Sequence, residues 1–305
     1  MNGRLLRRSA AAAAMILLAL TSAASAAPLK VVATFSIIGD LVKTVGGDGV
    51  SLTTLVAPGG DAHVYEPTPQ DAKTIAGADL VVVNGLGMEG WIDRLIAASG
   101  YHGKILVASD GIAPQTMVEE EDGAKDGKRV TDPHAWQNLA NGRIYVRNIA
   151  KALAEADPAG ATGYAERAGK LDGEIAALDA WVRRQMAEIP SAKRKIITSH
   201  DAFGYFGAAY GVTFLAPVGL STESEPTAAG LGQLTRQIKK EGIKALFIES
   251  MSDPRLIRQL ARESGAVVGG TLYSDTLSKE GGPADTYLKM FRNNVPAMVE
   301  AMRRN

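Results

Sequence analysis

Three imidazoles and one carboxylate are the side chains of this sequence best suited to a shared chemistry: His63, His134, His200 and Asp275. The remaining histidine, His102, lies in the turn Tyr101-His102-Gly103-Lys104 and reads as a surface residue. Cysteine is absent. That removes disulfides, thiolate metal sites and cysteine nucleophiles. Imidazole nitrogen and carboxylate oxygen both bind first-row divalent cations, and a set of three nitrogens and one oxygen suits tetrahedral zinc. Manganese or ferrous iron is better served by more oxygen donors. The four residues are far apart in the chain, and neither H-E-x-x-H nor C-x-x-C occurs. Spacing alone therefore specifies no site, and each histidine taken singly could be a hydrogen-bonded loop residue.

The elements that must position these side chains alternate along the chain. Apolar runs at Leu29 to Phe35, Val50 to Val56, Leu80 to Val83 and Lys104 to Ala108 predict buried strands. Helical patterns fall between them, at Ile37 to Val45, Pro69 to Ala76 and Trp91 to Ser99. After a helix at Asn141 to Ala154, the stretch Ala161 to Ile189 places Leu171, Ile175, Leu178, Trp181, Val182 and Met186 on one stripe. Gly169 and Gly173 are the points where that long helix could break. The alternation then resumes, with strands at Lys195 to Ser199, Val212 to Ala216, Lys244 to Glu249 and Ala266 to Leu272. Helices are expected between them and at Ala284 to Arg303. Strands alternating with helices predict an α/β fold of mainly parallel sheets covered by helices. The long helix separates two such halves. His63, His200 and Asp275 each follow a predicted strand, which is where open α/β sheets bind ligands.

Composition narrows the function classes. Lysine plus arginine and aspartate plus glutamate number 33 each among 305 residues, and no basic patch argues for nucleic acid. Arg4, Arg7 and Arg8 precede the apolar run Ala10 to Leu20 and the A-x-A sequence Ala24-Ser25-Ala26. That is a secretory leader, expected to be cleaved near Ala26. With no cysteine after it, the exported chain is expected to be periplasmic and without a lipid anchor in the membrane. Ile112 to Thr131 breaks the α/β rhythm. It reads as a polar surface loop, with acidic Glu119 to Asp122 followed by Lys125, Asp126, Lys128 and Arg129.

Four stretches, in order, carry a resemblance. They are His63-Val64-Tyr65-Glu66-Pro67-Thr68-Pro69, Asp132-Pro133-His134-Ala135-Trp136, Ser199-His200-Asp201-Ala202-Phe203-Gly204-Tyr205-Phe206 and Ser274-Asp275. Together they resemble the signature stretches of metal-binding solute-binding proteins of ABC transporters, the zinc and manganese receptors of the cluster A-I type. The resemblance runs from about Leu29 to Arg303. It implies two α/β lobes joined by one long backbone helix, with the metal held between the lobes by His63 and His134 from the first and by His200 and Asp275 from the second. On that basis residues 1–26 are the leader, 27–157 the first lobe, 158–191 the connector and 192–305 the second lobe. Manganese-favouring members often carry glutamate at the position of His200, so histidine there implies zinc. Zinc-specific members often have a histidine-rich loop before the second ligand, and here residues 119–129 contain no histidine.

The expected function is that of a periplasmic receptor that captures Zn²⁺ and delivers it to an ABC transporter permease served by a separate ATPase, with no enzymatic activity. Mn²⁺ is the second choice of cargo, and a manganese or iron receptor of the same family is the alternative within the class. A secreted zinc hydrolase is the alternative outside it, with Glu249 or Glu66 as general base. A receptor for a small anion, with the histidines as donors, is a third reading. Glu66, Asp132, Asp201 and Glu249 are candidates to hold the outer nitrogens of the imidazoles. A metal-donating partner at the acidic loop 119–129 is a further expectation.

Overall fold

The computed structural model describes residues 27–119, 128–223 and 227–305. The expected leader and most of the acidic loop lie outside the described residues. In the first lobe β1 (Leu29–Phe35), α1 (Ser36–Gly46), β2 (Val50–Val56), α2 (Pro69–Ala76), β3 (Leu80–Val83), α3 (Ile92–Ser99) and β4 (Lys104–Val107) alternate. The sheet order is β2-β1-β3-β4, with every pairing parallel. Helices cover both faces, so Val31 to Phe35 and all of β3 are buried and read as unbroken apolar runs. Thr68 and Asp71 form a reciprocal cap at the start of α2, with Pro69 in its first turn.

An antiparallel hairpin of β5 (Thr116–Glu119) and β6 (Lys128–Thr131) follows. The sequence pattern gives only a polar loop here. Each strand is four residues long and flanks a charged, glycine-containing run that dominates any window wide enough to show a period.

Then come α4 (Leu139–Ala156) and α5 (Ala161–Ala187). The second lobe comprises β7 (Lys195–Ile197), α6 (Gly204–Tyr210), β8 (Thr213–Leu215), α7 (Ala228–Glu241), β9 (Ala245–Glu249), α8 (Pro254–Ser264), β10 (Val267–Leu272) and α9 (Tyr287–Met302). Its sheet order is β10-β9-β7-β8, again parallel. No helix among the described residues is long and apolar enough to cross a membrane.

Helix α5 spans 27 residues, roughly 40 Å at 1.5 Å per residue. It runs unbroken through Gly169 and Gly173, both on its open side, where an added Cβ would meet nothing within 4 Å. Tyr164, Ala168, Leu171, Ile175, Leu178, Val182 and Met186 form its buried stripe. An arginine toward each end grips one lobe. Arg167 donates from Nε to the Val45 carbonyl at 2.7 Å and from Nη2 to the Gly46 carbonyl at 2.8 Å. Those carbonyls end α1 and have no partner inside the helix. Arg183 donates to the Ala209 carbonyl near the end of α6 at 3.0 Å. Its Nε also donates to Asp179 at 2.9 Å, and Asp179 accepts the Tyr210 hydroxyl at 2.8 Å.

The lobes share one hydrophobic core. It runs without interruption from Val31 on β1 to Met302 on α9. A smaller cluster of Ile197, Leu234, Ile238, Leu246, Ile257 and Leu260 lies beneath α7 and α8 alone. The segment after β10 is bound to the first lobe. The Leu277 amide donates to Ser36 Oγ at 2.9 Å, the Gly59 amide to Thr276 Oγ1 at 2.8 Å and the Tyr287 amide to Asp40 Oδ2 at 2.7 Å.

Arg167→Ala leaves two helix-terminal carbonyls without their charged donor. It should lower stability by about 1–3 kcal/mol, seen as a lower urea midpoint at unchanged slope.

Candidate metal centre

Each of the four side chains is set by its loop. Pro58, Gly59 and Gly60 end β2 and turn the chain. Asp61 Oδ1 accepts the His63 amide at 2.9 Å, and Trp91 Nε1 donates to the Ala62 carbonyl at 2.8 Å. His134 follows β6 and precedes a 3₁₀ turn at Ala135–Gln137. Asp132 Oδ1 lies 2.9 Å from the His134 amide and 2.8 Å from its ring Nδ1. His200 lies just beyond β7 and makes a single parallel bridge with Val218. Asp275 lies just beyond β10. The carbonyl before it, of Ser274, accepts both Trp136 Nε1 at 3.0 Å and Gln137 Nε2 at 2.8 Å.

These loops bring the four together. His63, His134, His200 and Asp275 are 8%, 0%, 1% and 1% exposed, and one donor atom from each falls within a span of 4.8 Å. The Nε2 atoms of His63, His134 and His200 lie 3.4, 3.6 and 2.9 Å from Asp275 Oδ2. His63 Nε2 and His134 Nε2 are 3.3 Å apart. A cation bound tetrahedrally at 2.0–2.1 Å separates neighbouring donors by roughly 3.3–3.4 Å, close to these edges. Neither carboxylate oxygen of Asp275 and neither ring nitrogen of His200 completes a hydrogen bond of ordinary geometry. Buried polar atoms left so are costly. Lone pairs converging on one point are what a cation resolves.

The electrostatics fit the same picture. Burial lowers the pKa of His134, but Asp275 and Asp132 outweigh it and raise the value to about 9. Burial likewise opposes protonation of His200, and Glu249 and Asp275 carry it well above the ordinary imidazole range. Burial pushes the Asp275 carboxyl up, yet His134 and His200 hold it well below the usual carboxylate range.

Of the four candidates for the outer nitrogens, two are in place. Asp132 holds His134, and Glu249 Oε2 lies 2.8 Å from His200 Nδ1. Glu249 Oε1 accepts the Ser199 and His200 amides at 2.8 and 2.9 Å, and Ser274 Oγ donates to Oε2. Glu249 thereby ties the His200 loop to the residue before Asp275. Glu66 is solvent-exposed, away from its expected place beside an imidazole. Asp201 is half-buried, and its carboxylate has no hydrogen bond to an imidazole. Burial, with Asp132, raises its pKa to about 6 against His134 and His200, which lower it. His102 is exposed, as expected.

Three supports are absent from the sequence reading. Trp136 is fully buried between Phe35 and His134, with ring centroids at 5.2 and 5.3 Å, and its Nε1 holds Ser274. Asp61 positions the His63 loop. A third support lies beneath His134. There Asn84 donates to the Pro133 carbonyl at 3.0 Å and accepts the Tyr145 hydroxyl at 2.6 Å. Buried Glu89 accepts the Asn84 amide at 2.7 Å and Thr34 Oγ1 at 2.6 Å. The signal available in the sequence was Asn84 itself, an amide closing an all-apolar strand. Gly204 matters for the same region. A Cβ there would lie 2.6 Å from Asp132 Oδ2, so only glycine lets α6 approach the residue that holds His134.

Residues 31–301 match the family described as zinc-uptake complex component A, periplasmic. The manganese ABC transporter substrate-binding lipoprotein PsaA of Streptococcus pneumoniae is 32% identical over 290 residues, covering 93% of this chain and 92% of that protein. The iron ABC transporter substrate-binding lipoprotein MtsA of Streptococcus pyogenes serotype M1 is 34% identical over 288 residues, with 92% and 91% covered. Among solved structures, the periplasmic zinc binding protein TroA of Treponema pallidum superposes with a TM-score of 0.83 at 30% identity, over 90% of this chain and 99% of that one.

Because the Glu249 carboxylate, 2.8 Å from His200 Nδ1, favours the protonated ring, Glu249→Gln should lower the His200 pKa in protein stripped of metal. Imidazole proton resonances followed against pH would show it, with His134 titrating as before.

Proposed function

The chain belongs to the family of zinc-uptake complex component A, the periplasmic substrate-binding component of a metal ABC transporter, and we propose that its cargo is Zn²⁺, held by His63, His134, His200 and Asp275. It is a binding component and not an enzyme, and its partners are the permease and ATPase of the transporter. The observation that carries the zinc assignment is the donor set: three imidazole nitrogens and one carboxylate oxygen within 4.8 Å of one another in a buried site. A hydrolytic zinc centre keeps a position for water, whereas four protein donors close the site. The relatives named for manganese and iron supply the competing reading. Against them stands the third imidazole, which softens the site relative to an oxygen-rich one.

The same reading takes residues 27–157 and 192–305 as the lobes and 158–191 as the connector. Metal enters where the lobes meet, and its release requires His63 and His200 to separate. The relatives are named lipoproteins, the opposite of the unanchored form expected here; this sequence has no cysteine to carry a thioether-linked lipid. The proposed metal-donating contact at loop 119–129 rests on residues 120–127, outside the described ones.

Competitive titration of chelator-stripped protein decides the cargo. Zn²⁺ should bind one to one and at least a hundredfold more tightly than Mn²⁺, and His200→Ala should lose most of that affinity. Comparable affinities for the two ions would overturn zinc and leave the receptor standing.

Proton linkage supplies a second check. Metal needs neutral imidazole, and Asp275 and Asp132 raise the His134 pKa to about 9 against burial. At neutral pH the metal must therefore displace a proton. Affinity should rise with pH up to about 9, roughly tenfold per unit for each proton displaced. Calorimetry in two buffers of different ionisation enthalpy should show at least one proton released per metal bound, and none released would contradict the assigned ligands.

A further inference from the structure

Asp61 uses its two carboxylate oxygens for two different tasks. Oδ1 accepts the His63 amide at 2.9 Å, which fixes the loop that delivers that imidazole. Oδ2 accepts Thr222 Oγ1 at 2.8 Å, from the loop that follows β8 in the other lobe. The Thr222 loop is in turn fastened to His200. Val218 bridges His200, and the Asp201 amide donates to the Gly219 carbonyl at 3.1 Å. A continuous path therefore runs from the His63 backbone through Asp61 and Thr222 to the His200 backbone. It crosses the seam between the lobes at one hydrogen bond between half-buried side chains.

The surroundings show what this bond closes. Two openings of about 250 Å³ flank it. One is lined by His63, Met88, Pro133 and Ser221. The other is lined by Asp61, His200, Thr222 and Met251. The 218–223 loop borders both, so it forms the wall between the two approaches to the buried imidazoles. Asp275 has a different anchorage. Trp136 and Gln137 hold the Ser274 carbonyl, and Ser36 and the Gly59 amide hold Thr276 and Leu277. Asp275 is thus tied to the first lobe, although its strand belongs to the second. Separating the lobes moves His200 away from His63, and the Asp61–Thr222 bond lies in the way.

We propose that the hydrogen bond between Asp61 and Thr222 is the latch that sets how long the metal stays bound. Both residues are positioning residues: neither contributes an atom to the metal. The latch forms once the lobes close, so it slows dissociation and leaves association unchanged. It rests on the receptor function proposed above.

The test uses Thr222→Val, which removes the donor at nearly constant volume, and Thr222→Ser, which keeps it. Co²⁺ is the probe, because its visible absorption reports a tetrahedral ligand set, and a strong chelator in stopped flow gives the dissociation rate. Thr222→Val should dissociate about tenfold faster, the value of one ordinary hydrogen bond. Its association rate and Co²⁺ spectrum should be unchanged, and Thr222→Ser should behave as the parent protein. A dissociation rate unaltered by Thr222→Val would overturn the latch. So would a changed spectrum, since the ligand set would then be what the residue supports. A parent protein that binds neither Co²⁺ nor Zn²⁺ would overturn the receptor reading itself, and the latch with it.

Discussion

The structure depends on a local electrostatic conflict. Three imidazole nitrogens are held within 3.6 Å of one carboxylate oxygen, almost entirely out of water. Without a cation the cluster resolves the conflict with protons: His134 and His200 are pushed up and Asp275 is pushed down. A divalent ion does the same with one charge centre and fixed geometry. Burial serves binding twice. It strengthens the attraction of the carboxylate for the ion, and it removes the water that would otherwise compete.

Holding such a cluster takes rigid loops. Each of the four side chains is fastened at its backbone before its donor atom is used. Asp61, Asp132 and Glu249 each accept the amide of a histidine, and two of them also stand beside that residue's outer ring nitrogen. One carboxylate thus fixes both the loop and the ring. Metal-bound imidazoles are oriented in this way by their outer partners. Behind His134, buried Glu89 and Asn84 extend the same principle by one more layer.

The scaffold reconciles this rigidity with the need to let metal go. The lobes share a continuous core along α5 and α9, and arginines at 167 and 183 clamp that helix to one lobe each. A hinge through such a core can bend only slightly. The outer half of the second lobe, under α7 and α8, has a separate small cluster and carries the wall beside His200. Asp275 is bonded across to the first lobe, while Ser274 and Glu249 also tie it to the His200 loop.

Much of this was legible in the chain before any coordinates. Buried parallel strands are apolar on both faces, so β1 and β3 announce themselves, and the stripe of α5 follows its 3.6-residue period. The hairpin of β5 and β6 is hidden, since short strands beside a charged run show no period. At the site, residue type, the strand ends and the resemblance of four stretches together gave the donor set. With three suitable imidazoles and no cysteine, few other clusters were possible. Residue type could not place the partners of those imidazoles. Asp132, close to His134 in the chain, and Glu249, on a distant strand, stand beside a ring, whereas Glu66 and Asp201, each close in sequence to a histidine, form no hydrogen bond to one, because chain proximity does not fix the direction of a side chain. Asp61, Trp136 and Asn84 act on residues far along the chain. Sequence thus determined which atoms could bind a metal. Only tertiary packing decided which carboxylates face them, because contacts between distant segments are set by how the two sheets close on their shared core.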